Sequence, residues 1–165
     1  MAPVDSFHII LDTSIKASAP RVFAALTTGI ASWWGLPYFE SREARNIILE
    51  PKVGGRLYEQ WDFERGDQEG ALLGTVIGIN PPEYLRLAGC FAMADYAAHG
   101  FLTFRLSYSN GVTTVSLKHS VLGEVNKELE ERYTKGWIDL MSRLTHLVEE
   151  GHSRGIKHDP SLHVD

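Results

Sequence analysis

Three polar side chains near the middle of the chain could do acid–base chemistry. His119 shares its parity with Val115 and Leu117 on one predicted strand, so these side chains point to the same face. If that face lines a cavity, an imidazole there can accept and donate protons near neutral pH. Glu59 or Tyr58 could supply its polar partner. The alternatives are a histidine hydrogen-bonded at the rim of the sheet and a glutamate on a solvated face.

A second set of side chains is suited to binding, because its members are aromatic or large and apolar. Aromatic rings can hold an apolar or aromatic ligand between them, and they also fill ordinary protein cores, so both interpretations stay open for each residue. We expect a cavity bounded mainly by the last helix, with a loop aromatic near its entrance. The predicted ligand-binding residues are Trp61, Phe91, Tyr96, Tyr133, Trp137 and Met141.

The sequence offers little to hold a metal or a cofactor. Cys90 is the one cysteine, which excludes an internal disulfide, and no motif beside it indicates an activated thiol. His152, His158 and His163 lie in a polar segment that lacks the rigid surroundings a metal site needs. We therefore predict no metal site and no cofactor.

Charge and hydropathy narrow the class of protein. The 165 residues carry 16 Lys plus Arg against 21 Asp plus Glu, a formal net charge of −5. A nucleic-acid binder of this size normally has a basic excess to neutralise phosphates, and attraction to an anionic membrane surface needs the same excess. No stretch approaches the length of apolar sequence that spans a bilayer. We predict a cytoplasmic domain that neither binds nucleic acid nor inserts into a membrane.

The elements that must position these side chains follow a simple order: one strand, two short helices, six strands and one long helix. Alternation predicts the first strand at Phe7–Ile15, and Asn110-Gly111 predicts a tight hairpin late in the sheet. Asn126 can cap a last helix that runs to Glu150 with an apolar stripe at helical spacing. One helix cannot fill the concave face of a curved antiparallel sheet, so we expect a cavity between them.

The segment 89–100 is apolar for a connection and is bracketed by glycines. Exposed apolar residues in a loop usually cover a binding site or contact another surface. Three interpretations fit: a hinged lid over a cavity mouth, part of a homodimer interface, and a short helix packed permanently on the sheet.

Several motifs occur in order along the chain and together resemble one family. They are Ala17-x-Ala19-Pro20-x-Val22-Phe23, Trp33-Trp34, Glu50-Pro51-x-Val53-Gly54-Gly55-Arg56, Gly74-Thr75-Val76, Pro81-Pro82 and Gly136-Trp137. The chain resembles the START-like, helix-grip superfamily, in the branch related to the C-terminal domain of the heat-shock ATPase activator. The resemblance covers about residues 7–151 and implies a seven-stranded antiparallel sheet that grips the C-terminal helix. The superfamily includes lipid carriers, plant hormone receptors and polyketide cyclases, so it implies a fold more specifically than an activity.

Together these observations predict an α+β helix-grip domain over residues 1–151 and a flexible polar tail over residues 152–165. The domain has a curved seven-stranded antiparallel sheet, two short helices and a long C-terminal helix. Its predicted function is to bind a small, mostly apolar or aromatic molecule between the sheet and that helix. Two alternatives stay open: a cyclase- or hydrolase-like enzyme acting in the same cavity, and a co-chaperone-like protein-interaction module.

Overall fold

Seven strands and two α-helices make up the described part of the chain, in the order that the sequence predicts, with a 3₁₀ turn in place of the second short helix. The computed structural model describes residues 4–151, and the tail predicted at residues 152–165 lies outside the described residues. The main elements are β1 (Asp5–Ile15), α1 (Ala19–Leu26), a 3₁₀ turn (Ile30–Ser32), β2 (Asn46–Leu49), β3 (Arg56–Gln60), β4 (Gly70–Asn80), β5 (Tyr84–Gly89), β6 (His99–Ser109), β7 (Val112–Gly123) and α2 (Lys127–Glu150).

The strands form a single antiparallel sheet in the order β1-β7-β6-β5-β4-β3-β2. From β2 to β7 each strand pairs with the next one in sequence, and β1 pairs with β7. The hairpin predicted at Asn110-Gly111 joins β6 to β7, with φ angles of 51° and 80° at its two residues. Those positive angles are the ones that favour Asn and Gly in a tight hairpin.

Two β-bulges interrupt β4, where an extra residue bends a strand and re-aims its side chain. The first places Leu73 as an extra residue opposite the step from Leu57 to Tyr58, and the second does the same with Ile77. Leu73 is buried whereas Ile77 is exposed, so the two bulges turn their side chains to different environments.

The C-terminal helix α2 is continuous, and each of its ends has a residue that suits a helix terminus. The Asn126 side-chain oxygen accepts a hydrogen bond from the Leu129 backbone N–H at 2.8 Å. The helix ends at Gly151, whose φ of 73° is a conformation that glycine adopts without strain. The apolar stripe of α2 is buried, with Leu129, Trp137, Leu140, Met141, Leu144 and Val148 in the core.

The space beneath α1 and the 3₁₀ turn is filled by side chains. Trp33 is fully buried there, and its indole N–H donates to the Ala25 carbonyl oxygen at 2.8 Å. The gap left among Leu26, Trp33, Leu102 and their neighbours is about 10 Å³, no more than the least that one water molecule needs. This part of the core therefore has no room for a ligand.

This architecture is the predicted α+β helix-grip fold, with its curved antiparallel sheet and long C-terminal helix. Within residues 4–151, no helix combines the length and the apolar composition needed to cross a membrane.

Candidate functional site

A cavity of about 450 Å³ opens beside the N-terminal half of α2, a size that suits a small organic molecule. Most of its lining comes from α2, the loop between the first 3₁₀ turn and β2, and the turn that follows β5. The sheet contributes Leu73, the residue that the first bulge of β4 re-aims. The largest apolar side chains of the lining are Trp34, Phe39, Leu73, Phe91, Trp137 and Leu140.

Charged side chains in the lining are few and come from the loops and the start of α2. They are Glu40, Asp95 and Arg132. The Arg132 guanidinium donates to the Tyr96 hydroxyl oxygen at 3.2 Å. This lining, with one cation and two carboxylates beside a largely aromatic wall, favours an uncharged guest over a polyanion. Each charge that a polyanion buried in the cavity would need a partner, and Arg132 is the one cation in the lining.

The turn after β5 is fastened to both the sheet and the helix. Phe91 and Ala92 have φ angles of 47° and 66°, which are unusual for residues other than glycine. The Phe91 backbone N–H donates to the Leu73 carbonyl oxygen at 2.9 Å, and the Tyr133 hydroxyl donates to the Phe91 carbonyl oxygen at 2.7 Å. Burial raises the pKa of Tyr133, so this phenol stays protonated and remains a donor.

Gly74 makes room for the ring that this turn carries. A Cβ at position 74 would lie 3.0 Å from the Phe91 ring, closer than side-chain atoms normally pack. The ring is buried, as are Met93 and Ala98 further along the segment, so residues 90–98 are packed on the fold.

The loop before β2, which also lines the cavity, is fastened to α2 through Tyr38. Its ring lies against Gly136, where a Cβ would come within 3.2 Å of the ring carbon. The Tyr38 hydroxyl donates to the Asp139 carboxylate at 2.7 Å, and burial together with that carboxylate raises the pKa of Tyr38 to about 12. Arg143 contacts the same carboxylate at 3.1 Å and donates to the Leu36 carbonyl oxygen at 3.0 Å. Both cavity walls are therefore anchored on the helix.

Glu59 on β3 holds the same loop from the sheet side. Its carboxylate is fully buried and accepts hydrogen bonds from the backbone N–H of Glu40 at 2.6 Å and of Ser41 at 3.4 Å. The Trp61 indole N–H donates to it at 3.0 Å. Burial raises the pKa of Glu59, while these three donors act in the opposite direction. The geometry makes Glu59 a positioning residue for the loop that carries Tyr38, Phe39 and Glu40.

Replacing Glu59 by alanine should lower the free energy of unfolding by about 2 kcal/mol, because three donors lose their acceptor. Glu59→Gln keeps an acceptor and cannot titrate. A raised pKa in the folded state means that ionisation favours the unfolded chain, so wild-type stability relative to Glu59→Gln should fall as the pH rises above 4.5. Urea unfolding of the three proteins at pH 5 and pH 8 measures both effects. A constant difference between wild type and Glu59→Gln would contradict the assignment.

His119 lies directly behind the cavity wall. It is fully buried on β7, and its Nδ1 accepts a hydrogen bond from the Trp137 indole N–H at 3.0 Å. Its ring centroid is 5.0 Å from that of Phe91, 5.8 Å from Trp137 and 6.1 Å from Tyr133, and all three of these residues line the cavity. Burial lowers the pKa of His119 to about 4, so the imidazole is neutral at pH 7.

The second nitrogen of this imidazole, Nε2, is buried and has no hydrogen-bond partner among the described residues. Leaving a buried polar atom unpaired costs about 1–3 kcal/mol, so such an atom needs an explanation.

The predicted site residues fall into two groups. Phe91, Tyr133 and Trp137 line the cavity. The other three predicted ligand-binding residues lie outside that lining: Trp61 donates to Glu59, Tyr96 accepts from Arg132, and Met141 is buried in the core.

The three predicted acid–base residues do not form one cluster. Tyr58 lies beneath the Arg56 guanidinium, 4.5 Å from its ring centroid, and alternates with the buried Leu57 and Glu59 along β3. Three strands (β4, β5 and β6) separate β3 from the strand of His119. Within residues 4–151, no group of three or more His, Cys, Asp or Glu side chains is placed to hold a metal ion.

Sequence patterns missed the lining residues that come from the loop before β2 and from the bulge. These are Pro37, Tyr38, Phe39, Glu40 and Leu73. One signal was present in the sequence, since Tyr38-Phe39 places two aromatic rings in a loop where solvent exposure would be unfavourable.

The fold and the cavity beside α2 define a class of protein, the helix-grip domains with an internal space next to the C-terminal helix. A family model narrows this class. The chain belongs to the family described as activator of Hsp90 ATPase homolog 1-like protein, whose model matches residues 16–149. No curated protein matches the chain significantly.

Three solved structures have this fold and share little sequence with the chain. The Aha1 dimer from Colwellia psychrerythraea is 19% identical with a TM-score of 0.65, over 88% of this chain and 98% of that one. A protein from Chromobacterium violaceum is 20% identical with a TM-score of 0.63, over 86% and 96%. DynU16, a putative protein of the dynemicin biosynthetic locus, is 19% identical with a TM-score of 0.65, over 90% of this chain and 49% of that one. At these identities the likeness establishes the fold alone.

Proposed function

We propose that this protein binds a small, mostly apolar or aromatic molecule in the cavity beside α2, as a carrier or receptor located in the cytoplasm. The observation that supports the proposal is the cavity of about 450 Å³ with rings from Trp34, Phe91, Tyr133 and Trp137 in its lining. A space of that size between large apolar side chains leaves dispersion contacts unmade, which an apolar guest can supply.

The way in which the walls are held supports the same function. Two loops line the cavity, and a tyrosine hydroxyl ties each of them to α2, Tyr133 for the turn after β5 and Tyr38 for the loop before β2. These hydrogen bonds order both loops in the free protein, which reduces the entropy lost on binding, and the strained turn at Phe91 is the part of the wall that can still rearrange. By contrast, a depression of about 460 Å³ at the turn between β4 and β5 is lined largely by polar side chains, including Asn80, Glu83 and Arg105.

The test uses N-phenyl-1-naphthylamine, a neutral apolar fluorophore. We expect saturable binding with an increase in fluorescence, and we expect Tyr133→Ala and Trp137→Leu each to weaken it about tenfold, since each removes part of an aromatic wall. Tyr108→Ala is the matched control, because it makes the same change at an exposed position of β6.

Thermal unfolding of each variant verifies that it is folded before its affinity is compared. Saturable binding that neither cavity variant alters would place the site elsewhere. Absence of binding to the wild-type protein would defeat the proposal.

One observation favours a second function, that of a protein-interaction module such as a homodimer. Phe101 and Leu122 are exposed on the outer face of the sheet, and they are diagonal neighbours because Phe101 pairs with Ser120 across β6 and β7. Absence of probe binding, together with a concentration-dependent mass in light scattering, would favour this function. The enzyme alternative would need a polar partner for His119, whose hydrogen bonds within residues 4–151 consist of the one from Trp137.

A further inference from the structure

The imidazole of His119 is held in one tautomer. The Trp137 indole nitrogen is a donor only, so the nitrogen it contacts, Nδ1 of His119, must carry the lone pair. In a neutral imidazole the proton is then on Nε2. The buried atom without a partner is therefore an N–H donor, and what it lacks is an acceptor.

The surrounding side chains supply no acceptor for this N–H, so a molecule bound from outside the protein can supply one. The Tyr133 hydroxyl donates to the Phe91 carbonyl oxygen, and the Trp137 indole N–H is used on Nδ1. The rings around the imidazole otherwise present carbon. All three of these residues also line the cavity whereas His119 does not, so Nε2 meets an occupant of the cavity only if one of these rings moves.

Phe91 is the ring whose movement would open this route. Its edge-to-face contact with His119 is the closest of the three, at 5.0 Å between centroids. It sits on a turn with two consecutive non-glycine residues at positive φ, a conformation that costs energy and that a rearranged turn can release.

We propose that Nε2–H of His119 becomes a polar anchor for the ligand when the Phe91 ring moves, and that the natural ligand is an aromatic or apolar molecule bearing a carbonyl or comparable acceptor oxygen. This inference rests on the proposed function and specifies its ligand class. The anchor selects for an acceptor because the oxygen of a bound ketone receives a hydrogen bond that the protein otherwise leaves unmade. A ligand of the same shape without that oxygen gains only the apolar contacts.

Two probes of nearly equal shape test the anchor: 2-acetylnaphthalene, which has the carbonyl, and 2-isopropenylnaphthalene, in which a methylene group replaces the oxygen. We expect the wild-type protein to bind the ketone more tightly than the alkene. The ratio of the two dissociation constants should change about tenfold in favour of the alkene in His119→Phe, which corresponds to one hydrogen bond. His119→Gln retains an N–H donor and should keep part of the preference for the ketone.

Nitrogen NMR of the imidazole gives a readout that does not depend on the folding of a variant. In the wild-type protein, the ketone should shift the protonated Nε2 signal of His119, and the alkene should shift it much less. Equal affinities for the two probes with no selective shift would overturn the anchor and leave the proposed function standing. Binding of neither probe would overturn both.

Discussion

Replacing Trp137 by alanine should lower the free energy of unfolding by about 3–5 kcal/mol. The indole is 3% exposed and packs edge-to-face on Trp34 and Phe104, with centroids 5.5 Å and 6.2 Å away. Its loss also removes the hydrogen bond to His119, which would leave both nitrogens of that buried imidazole without a partner.

The neighbouring position provides the control. Ile138 follows Trp137 on the same helix but is 52% exposed, so Ile138→Ala should change stability by no more than about 0.5 kcal/mol. Urea unfolding followed by far-ultraviolet circular dichroism measures both variants. A loss below about 1 kcal/mol for Trp137→Ala would mean that the helix is not held on the sheet through this ring.

The fold was predictable because its signals are local. The cap at Asn126, the stop at Gly151 and the apolar stripe between them are properties of a short stretch of chain, and the structure has all three. The hairpin at Asn110-Gly111 depends on two residues that accept positive φ. Such signals need no knowledge of what the element packs against.

The cavity was predictable only in part, because its walls come from contacts distant in sequence. Helical spacing correctly placed Tyr133 and Trp137 on the inner side of α2, but successive positions four residues apart rotate by about 40° around a helix. Met141 is therefore turned about 80° from Tyr133, and it enters the core while Tyr133 faces the cavity. Trp61 was predicted to bind the ligand because it is aromatic, yet it follows the end of β3 at Gln60 and its indole N–H donates to the Glu59 carboxylate.

The polar contacts of the interior could also be predicted only in part. Strand parity suggested that His119 faces inward, and it does, but parity cannot say which helix residue will meet it. The hydrogen bond from Trp137 fixes the tautomer, and that contact exists only once α2 lies across the sheet. In the folded chain this imidazole is enclosed by the rings of Phe91, Tyr133 and Trp137.

Acid should destabilise this protein through His119. The folded state lowers the pKa of His119 to about 4 from an ordinary value of 6.5, because burial disfavours the charged ring. The unfolded chain thus takes up the proton first as the pH falls. The stability that this group contributes is fully present above pH 6.5 and is lost as the pH falls towards about 4. The loss over that window should be about 3 kcal/mol.

The measurement compares wild type with His119→Gln, which cannot titrate and can still accept from the Trp137 indole. The free energy of unfolding in urea is determined at half-unit steps from pH 4 to pH 8, and the difference between the two proteins removes the contributions of all other groups. His8→Gln makes the same substitution on the neighbouring strand β1, at an exposed residue whose Nδ1 contacts the Ser120 hydroxyl at 2.8 Å. A wild-type curve parallel to that of His119→Gln would show that the imidazole reaches solvent in the folded protein, and the assignment of a neutral, buried donor would fail with it.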